Sequence, residues 1–128
     1  MRWNAALAIY VLFWVLAAFL VMRTTAVLLA VLVLGHFAVT HLVTDVAQTG
    51  SSFVLRRWSS ALWLAWDWTM LAAALAHAGA GIWLMIDEQA PGVVLRRRLQ
   101  VATAATVAVL LVVGTTALTV AGARGAPG

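Results

Sequence analysis

Residues 99–123 read LQVATAATVAVLLVVGTTALTVAGA, an unbroken run without a single charge. A bilayer core about 30 Å thick is crossed by roughly 20 helical residues, so this stretch is long enough to span one. Working outward, further uncharged runs occupy residues 68–86, 24–44 and 5–22. Over all 128 residues the chain is 65% hydrophobic and 9% charged, with a mean hydropathy of +1.03. Soluble domains average about 45–50% apolar and roughly 25% charged residues, and so small a globule cannot hide the surplus. A soluble monomer and a disordered chain are both excluded. The expected fold is all-α: an integral membrane bundle of three transmembrane helices forming a single domain over residues 1–128.

Polar punctuation divides the runs. Asp45-Val-Ala-Gln-Thr-Gly-Ser-Ser52 reads as a loop, and Asp87-Glu-Gln-Ala-Pro-Gly92 carries the Pro-Gly signature of a turn. The run at 68–86 becomes long enough to cross if it starts near Trp58 and tolerates Asp67 inside the membrane. Only Arg23 separates the first two runs, and no turn residue lies nearby. One helix over 5–44 would be about 60 Å long, twice the hydrocarbon thickness. The reading is therefore an N-terminal interfacial or oblique helical extension, followed by spans at about 20–45, 58–87 and 97–122. Arg2 ahead of an apolar core would also suit a signal peptide, although the run continues straight into the next span. The tail from Gly122 is polar and glycine-rich, and no helix is expected there.

Eight basic residues, all arginine, face four acids, for a formal charge of +4. They are too scattered for a nucleic-acid surface, which clusters charge on one solvated face. In a membrane protein arginines gather on the cytoplasmic side. Arg96-Arg97-Arg98 between two close spans thus places the N-terminus in the cytoplasm and the C-terminus outside. Seven tryptophans suit the headgroup level. With no cysteine, the chain brings no disulfide, thiolate zinc site or iron–sulfur ligand of its own.

Polar groups inside a bilayer are costly and usually functional. His77 lies in Leu71-Ala-Ala-Ala-Leu-Ala-His-Ala-Gly-Ala-Gly-Ile82, where small neighbours admit either a second helix or a flat body such as a haem. His36, in Leu34-Gly-His-Phe37, also has a glycine beside it. His36 stands about 20 Å along the helix from Arg23, and His77 about 15 Å before Asp87. Taking those charges as the inner boundary, the two depths differ by about 5 Å. His41 falls near the end of its run and reads as an interfacial residue. Arg23 suits a haem propionate, a quinone oxygen or a snorkelling anchor. Asp67, in Trp63-Leu-Ala-Trp-Asp-Trp68, suits hydrogen bonding to its neighbours as well as proton transfer. No nucleophile–base pair, phosphate loop or metal cluster is visible.

The succession Arg23-Thr-Thr-Ala, Leu34-Gly-His36, Arg57-Trp-Ser, Trp66-Asp67, His77-Ala-Gly-Ala-Gly81 and Asp87, followed by the arginine-rich stretch, resembles the hydrophobic membrane anchor (D subunit) of succinate dehydrogenase, the succinate:quinone oxidoreductase of respiratory membranes. The likeness covers roughly residues 20–125. Each motif is short, and their order and spacing are more specific than any one of them. In that family two small three-helix anchors bind haem b between them and dock a flavoprotein and an iron–sulfur subunit on the cytoplasmic face. Succinate is oxidised there, and electrons pass to membrane quinone.

The resemblance implies that His77 ligates haem b together with a residue of the partner anchor, the cytochrome b (C-type) subunit. It also implies that His36 ligates a second haem, because two-haem relatives carry a Gly-His at this place. Both histidines on one haem is a competing geometry, and an interhelical hydrogen bond is the plain alternative. Arg23, Trp83 and Asp87 would lie near a haem propionate or the quinone. The chain departs from the pattern where an Asp-Tyr pair is usual and Asp87-Glu88 stands, which puts quinone binding there in doubt. The expected partners are thus the second anchor, the iron–sulfur and flavoprotein subunits, lipids and quinone, in the inner (plasma) membrane. The rival function is a small haem-free transporter or channel subunit using Asp67 and the histidines as a path.

Overall fold

The computed structural model describes residues 5–45, 47 and 50–125. They form helix α1 (Ala5–Phe37) with a π-helical continuation (Ala38–Val43), a short α2 (Ser51–Trp58), α3 (Ala61–Gln89) and α4 (Val93–Gly125). Three stretches are long and apolar enough to cross a membrane, Leu12–Val43, Ala61–Gln89 and Val93–Gly125. The all-α, three-span architecture is as expected. The N-terminal extension is helical and runs without a break into the first span.

Matching contacts set the register. Along α1 and α3, Met22 meets Gly81, Thr25 meets His77 and Gly35 meets Trp66, so the two helices are antiparallel. Along α3 and α4, Trp68 pairs with Thr115, Leu71 with Gly114, Gly79 with Val107 and Asp87 with Gln100. α3 is therefore the central helix, while α1 and α4 are not packed along one another. The bundle has two ends: the α2 end, and the Pro91 end with its turn at Gly92, whose φ of +80° suits glycine.

Little is buried. Leu32, Ala73 and Leu118 are the buried apolar side chains, whereas Val27, Leu34 and Val112 stand wide open. In water such a surface would aggregate. In lipid it is satisfied, because each helix pairs its own backbone groups.

Two regions at the α2 end differ from the sequence reading. Residues 51–58 are helical rather than loop, and α3 begins at Ala61 rather than near Trp58. The glycine-rich stretch after 122 continues α4 to Gly125. One contact explains both. The backbone of α2 lies directly on Gly122 and Gly125, one helix face with no side chains, at Trp58 O and Leu55 O. An eight-residue helix is marginal alone, and close backbone packing supplies what propensity lacks.

A Cβ at Gly122 would lie 2.5 Å from the Trp58 carbonyl oxygen. Backbone atoms cannot rotate aside, so Gly122→Ala is expected to lift α2 and cost about 1–3 kcal/mol, as overpacking does. Gly81→Ala, whose Cβ would meet only the Met22 methyl at 3.6 Å, serves as the tolerated comparison. Unfolding in mixed micelles by added SDS measures both, and equal stability of the two variants contradicts this packing.

Candidate functional site

The helices place the polar residues in three groups. At the α2 end, Asp67 on α3 is buried, with polar partners on three sides. Arg57 Nη2 donates to its Oδ1 at 3.0 Å, and the Trp58 indole donates to Oδ2 at 2.8 Å. His36 Nδ1, from α1, lies 3.3 Å from the same Oδ1. Arg57 Nη2 is also 3.3 Å from His36 Nδ1. The Arg57 guanidinium lies over the Trp63 ring at 4.3 Å, while its Nε and Nη1 are buried without a hydrogen-bond partner.

Local sequence explains this convergence. Gly35 lets the Trp66 ring press against α1, where a Cβ would stand only 2.7 Å from the ring. That draws α1 and α3 together one residue before His36 and one before Asp67. Thr40 Oγ1 donates to the His36 carbonyl at 2.8 Å, and Thr44 N–H then reaches back five residues to Val39 O. A side chain that takes a helical carbonyl loosens the ladder, and the widened π turn follows His36 directly.

The second group is His77 with Thr25, whose Oγ1 is 3.0 Å from His77 Nδ1. The Thr25 hydroxyl has one proton and two acceptors in reach, the Val21 carbonyl at 2.5 Å and His77 Nδ1. With the proton on the shorter bond to Val21, the oxygen accepts from an Nδ1–H of His77. Nε2 keeps the lone pair, and no described residue hydrogen-bonds to it.

The third group lies at the Pro91 end. There α1 and α4 diverge over α3 and leave an open groove of about 790 Å³. Val15, Ala18, Val21, Gly79 and Ala80 give it apolar walls, and Trp83, Asp87, Arg96 and Gln100 line its polar part. Gln100 donates to Asp87 at 2.7 Å, and Arg96 Nε stands 4.0 Å from the same oxygen. Trp83 and Asp87 thus line one groove, and Glu88 is exposed.

Other expected residues fall elsewhere. Arg23 is exposed, stacked over Phe19 at 5.2 Å. It is two residues from Thr25, about 200° round the helix, so the structure does not bring it to His77. His41 is exposed, with its ring 4.7 Å from that of Phe37.

The expected depths also change. Asp87 shares its groove with Val15, not with Arg23, so the two charges do not mark one boundary. Measured along α1, from Thr25 beside His77 to His36, the histidines are about 16 Å apart rather than 5 Å. Both lie on helices packed against each other, and a single haem cannot take its two axial ligands from this chain.

Sequence reading missed Arg57, Trp58 and Thr25. An aspartate within a span demands a countercharge, and Arg56-Arg57 is the nearest source before it in the sequence. Comparison of the chain with protein-family models and with curated protein sequences finds no match.

Proposed function

We propose that the chain is the small membrane anchor of a succinate:quinone oxidoreductase, holding haem b with a second anchor subunit and bound to a flavoprotein and an iron–sulfur subunit. The observation that carries this is the setting of His77: it stands among alanines and glycines, its Nδ1 is 3.0 Å from the Thr25 hydroxyl, and no described residue hydrogen-bonds to its Nε2. A metal-ligating histidine usually gives its other ring N–H to a neighbouring acceptor in this way, which sets tautomer and ring angle. His36 has the same form, with Nδ1 against Asp67, and is assigned a second haem. The donor chemistry therefore fits the group, provided that each second ligand comes from the partner.

Haem, when bound, stores single electrons between the partner's clusters and quinone. This chain's residues would hold and orient it: Thr25 would fix His77, and the exposed Ala74 and Ala78 would keep the helix face low. The groove at Trp83, Asp87 and Arg96 has apolar walls for an isoprenoid tail and donors at one end for a carbonyl oxygen. Ionised Asp87 only accepts hydrogen bonds, so it suits proton delivery better than carbonyl recognition. Arg96, Arg97 and Arg98 at the Pro91 end favour that end, and the N-terminus with it, as cytoplasmic in the inner (plasma) membrane. A haem-free proton or cation path through Asp67 is less favoured, because Arg57 already neutralises the carboxylate.

Purification of the intact complex through a tag on this chain tests the proposal. Flavin should co-purify, and succinate should develop a sharp reduced α band. A colourless preparation without flavoprotein refutes it.

A further inference from the structure

Asp67 and Arg57 form the most buried polar cluster in the described chain, with side chains 8% and 6% exposed, yet His36 beside them is 38% open. Two arrangements of the His36 proton can be compared. If Nδ1 were the acceptor, it could take the second Nη2 hydrogen of Arg57 at 3.3 Å, but its lone pair would face the charged Asp67 Oδ1 at 3.3 Å, two acceptors opposed. If Nδ1 carries the proton, Oδ1 accepts from both Nδ1–H and Arg57 Nη2, using its two lone pairs, and Oδ2 accepts from Trp58. The second arrangement gives both Asp67 oxygens their donors and the Nδ1 proton an acceptor, while Arg57 Nε and Nη1 stay without a partner in either. Arg57 also balances the carboxylate charge, so His36 need not be protonated to pair with it.

We propose that Asp67 and Arg57 are positioning residues for His36: together they hold it as the Nδ1–H tautomer and aim its Nε2 lone pair out of the bundle, toward a haem iron shared with the partner anchor. This rests on the assignment of His36 as a haem ligand. A carboxylate on the remote ring N–H raises the ligand's basicity, and hydrogen bonding beyond the axial ligand is one of the protein's levers on haem potential. Asp67 therefore favours the ferric state of the His36 haem and leaves the His77 haem, about 16 Å away along the helix, unaffected.

The test uses the intact complex, with redox titration of the haem absorbance and haem counted against flavin. In Asp67→Asn both haems are retained, the midpoint potential of one rises and the other stays unmoved. Two haems with unshifted potentials overturn the proposal. If Asp67→Asn does not assemble, Asp67→Glu keeps the charge but displaces the carboxylate by one methylene, and the same potential must move. An unmoved potential there also overturns it. His36→Leu in parallel separates the two claims: loss of one haem per flavin upholds the ligand assignment, and full haem content removes both.

Discussion

His77→Ala is expected to abolish the spectrum of one haem and to lower the yield of assembled complex several-fold. The structure sharpens what this measurement decides. His77 bridges α3 to α1 through Thr25, so the variant also loses an interhelical hydrogen bond. Such bonds average only about 0.6 kcal/mol in membranes, too little to prevent assembly. A vacated haem pocket is by contrast a large apolar void, and the penalty grows with cavity volume. Haem per flavin by pyridine haemochrome therefore separates the two roles, and unchanged haem content with slightly reduced stability leaves His77 as a packing residue. Thr25→Val gives a finer reading, because it keeps the shape and removes the acceptor. Loss of such an outer partner typically weakens metal retention about 10–100-fold, so the variant should assemble with haem and lose it more readily in detergent.

The second large effect is expected at Asp67. Asp67→Leu leaves the Arg57 guanidinium buried without its carboxylate, with only His36 Nδ1 near Nη2 and with Nε and Nη1 already unpartnered. Breaking a buried ion pair on one side costs about 3–5 kcal/mol, a large part of the stability of a small domain. The chain should unfold at much lower SDS fraction and accumulate poorly in the membrane. Replacing Arg57 and Asp67 by leucine together removes both charges, and such exchanges are often neutral. The double variant should regain most of the lost stability. Because the pair aims His36, it should not regain the native potential of the His36 haem. A double variant as unstable as the single one would show that the cluster matters through Trp58 or packing rather than through charge.

Most of the architecture was legible because lipid imposes it. Uncharged runs of span length have to be helices, since no other segment satisfies its backbone within hydrocarbon. The turn at Pro91-Gly92 was equally plain, with Gly92 at the positive φ that Pro-Gly predicts, although Asp87–Gln89, expected in the turn, extend α3. Where the reading failed, local signals were outweighed by contacts distant in sequence. Gly122 and Gly125 argue against a helix by propensity, yet they are the surface on which α2 rests. Residues 51–58 look like loop because their partner is α4, more than sixty positions later.

The sequence by itself determined that this protein lives in a membrane, how many times it can cross, and which few polar side chains must explain themselves there. Composition and run length suffice for that, because the bilayer penalises each exposed polar group wherever it lies in the chain. Only the tertiary structure decided the partners of those polar groups. The register of α1 against α3 moved Asp87 to the level of Val15 and separated His36 from His77 by about 16 Å, and the docking of α2 joined Arg57 to Asp67. Helix register is set by which small residues admit which large ones, here Gly35 under Trp66 and Gly81 under Met22. That complementarity is a property of two surfaces in contact, and neither helix carries it alone.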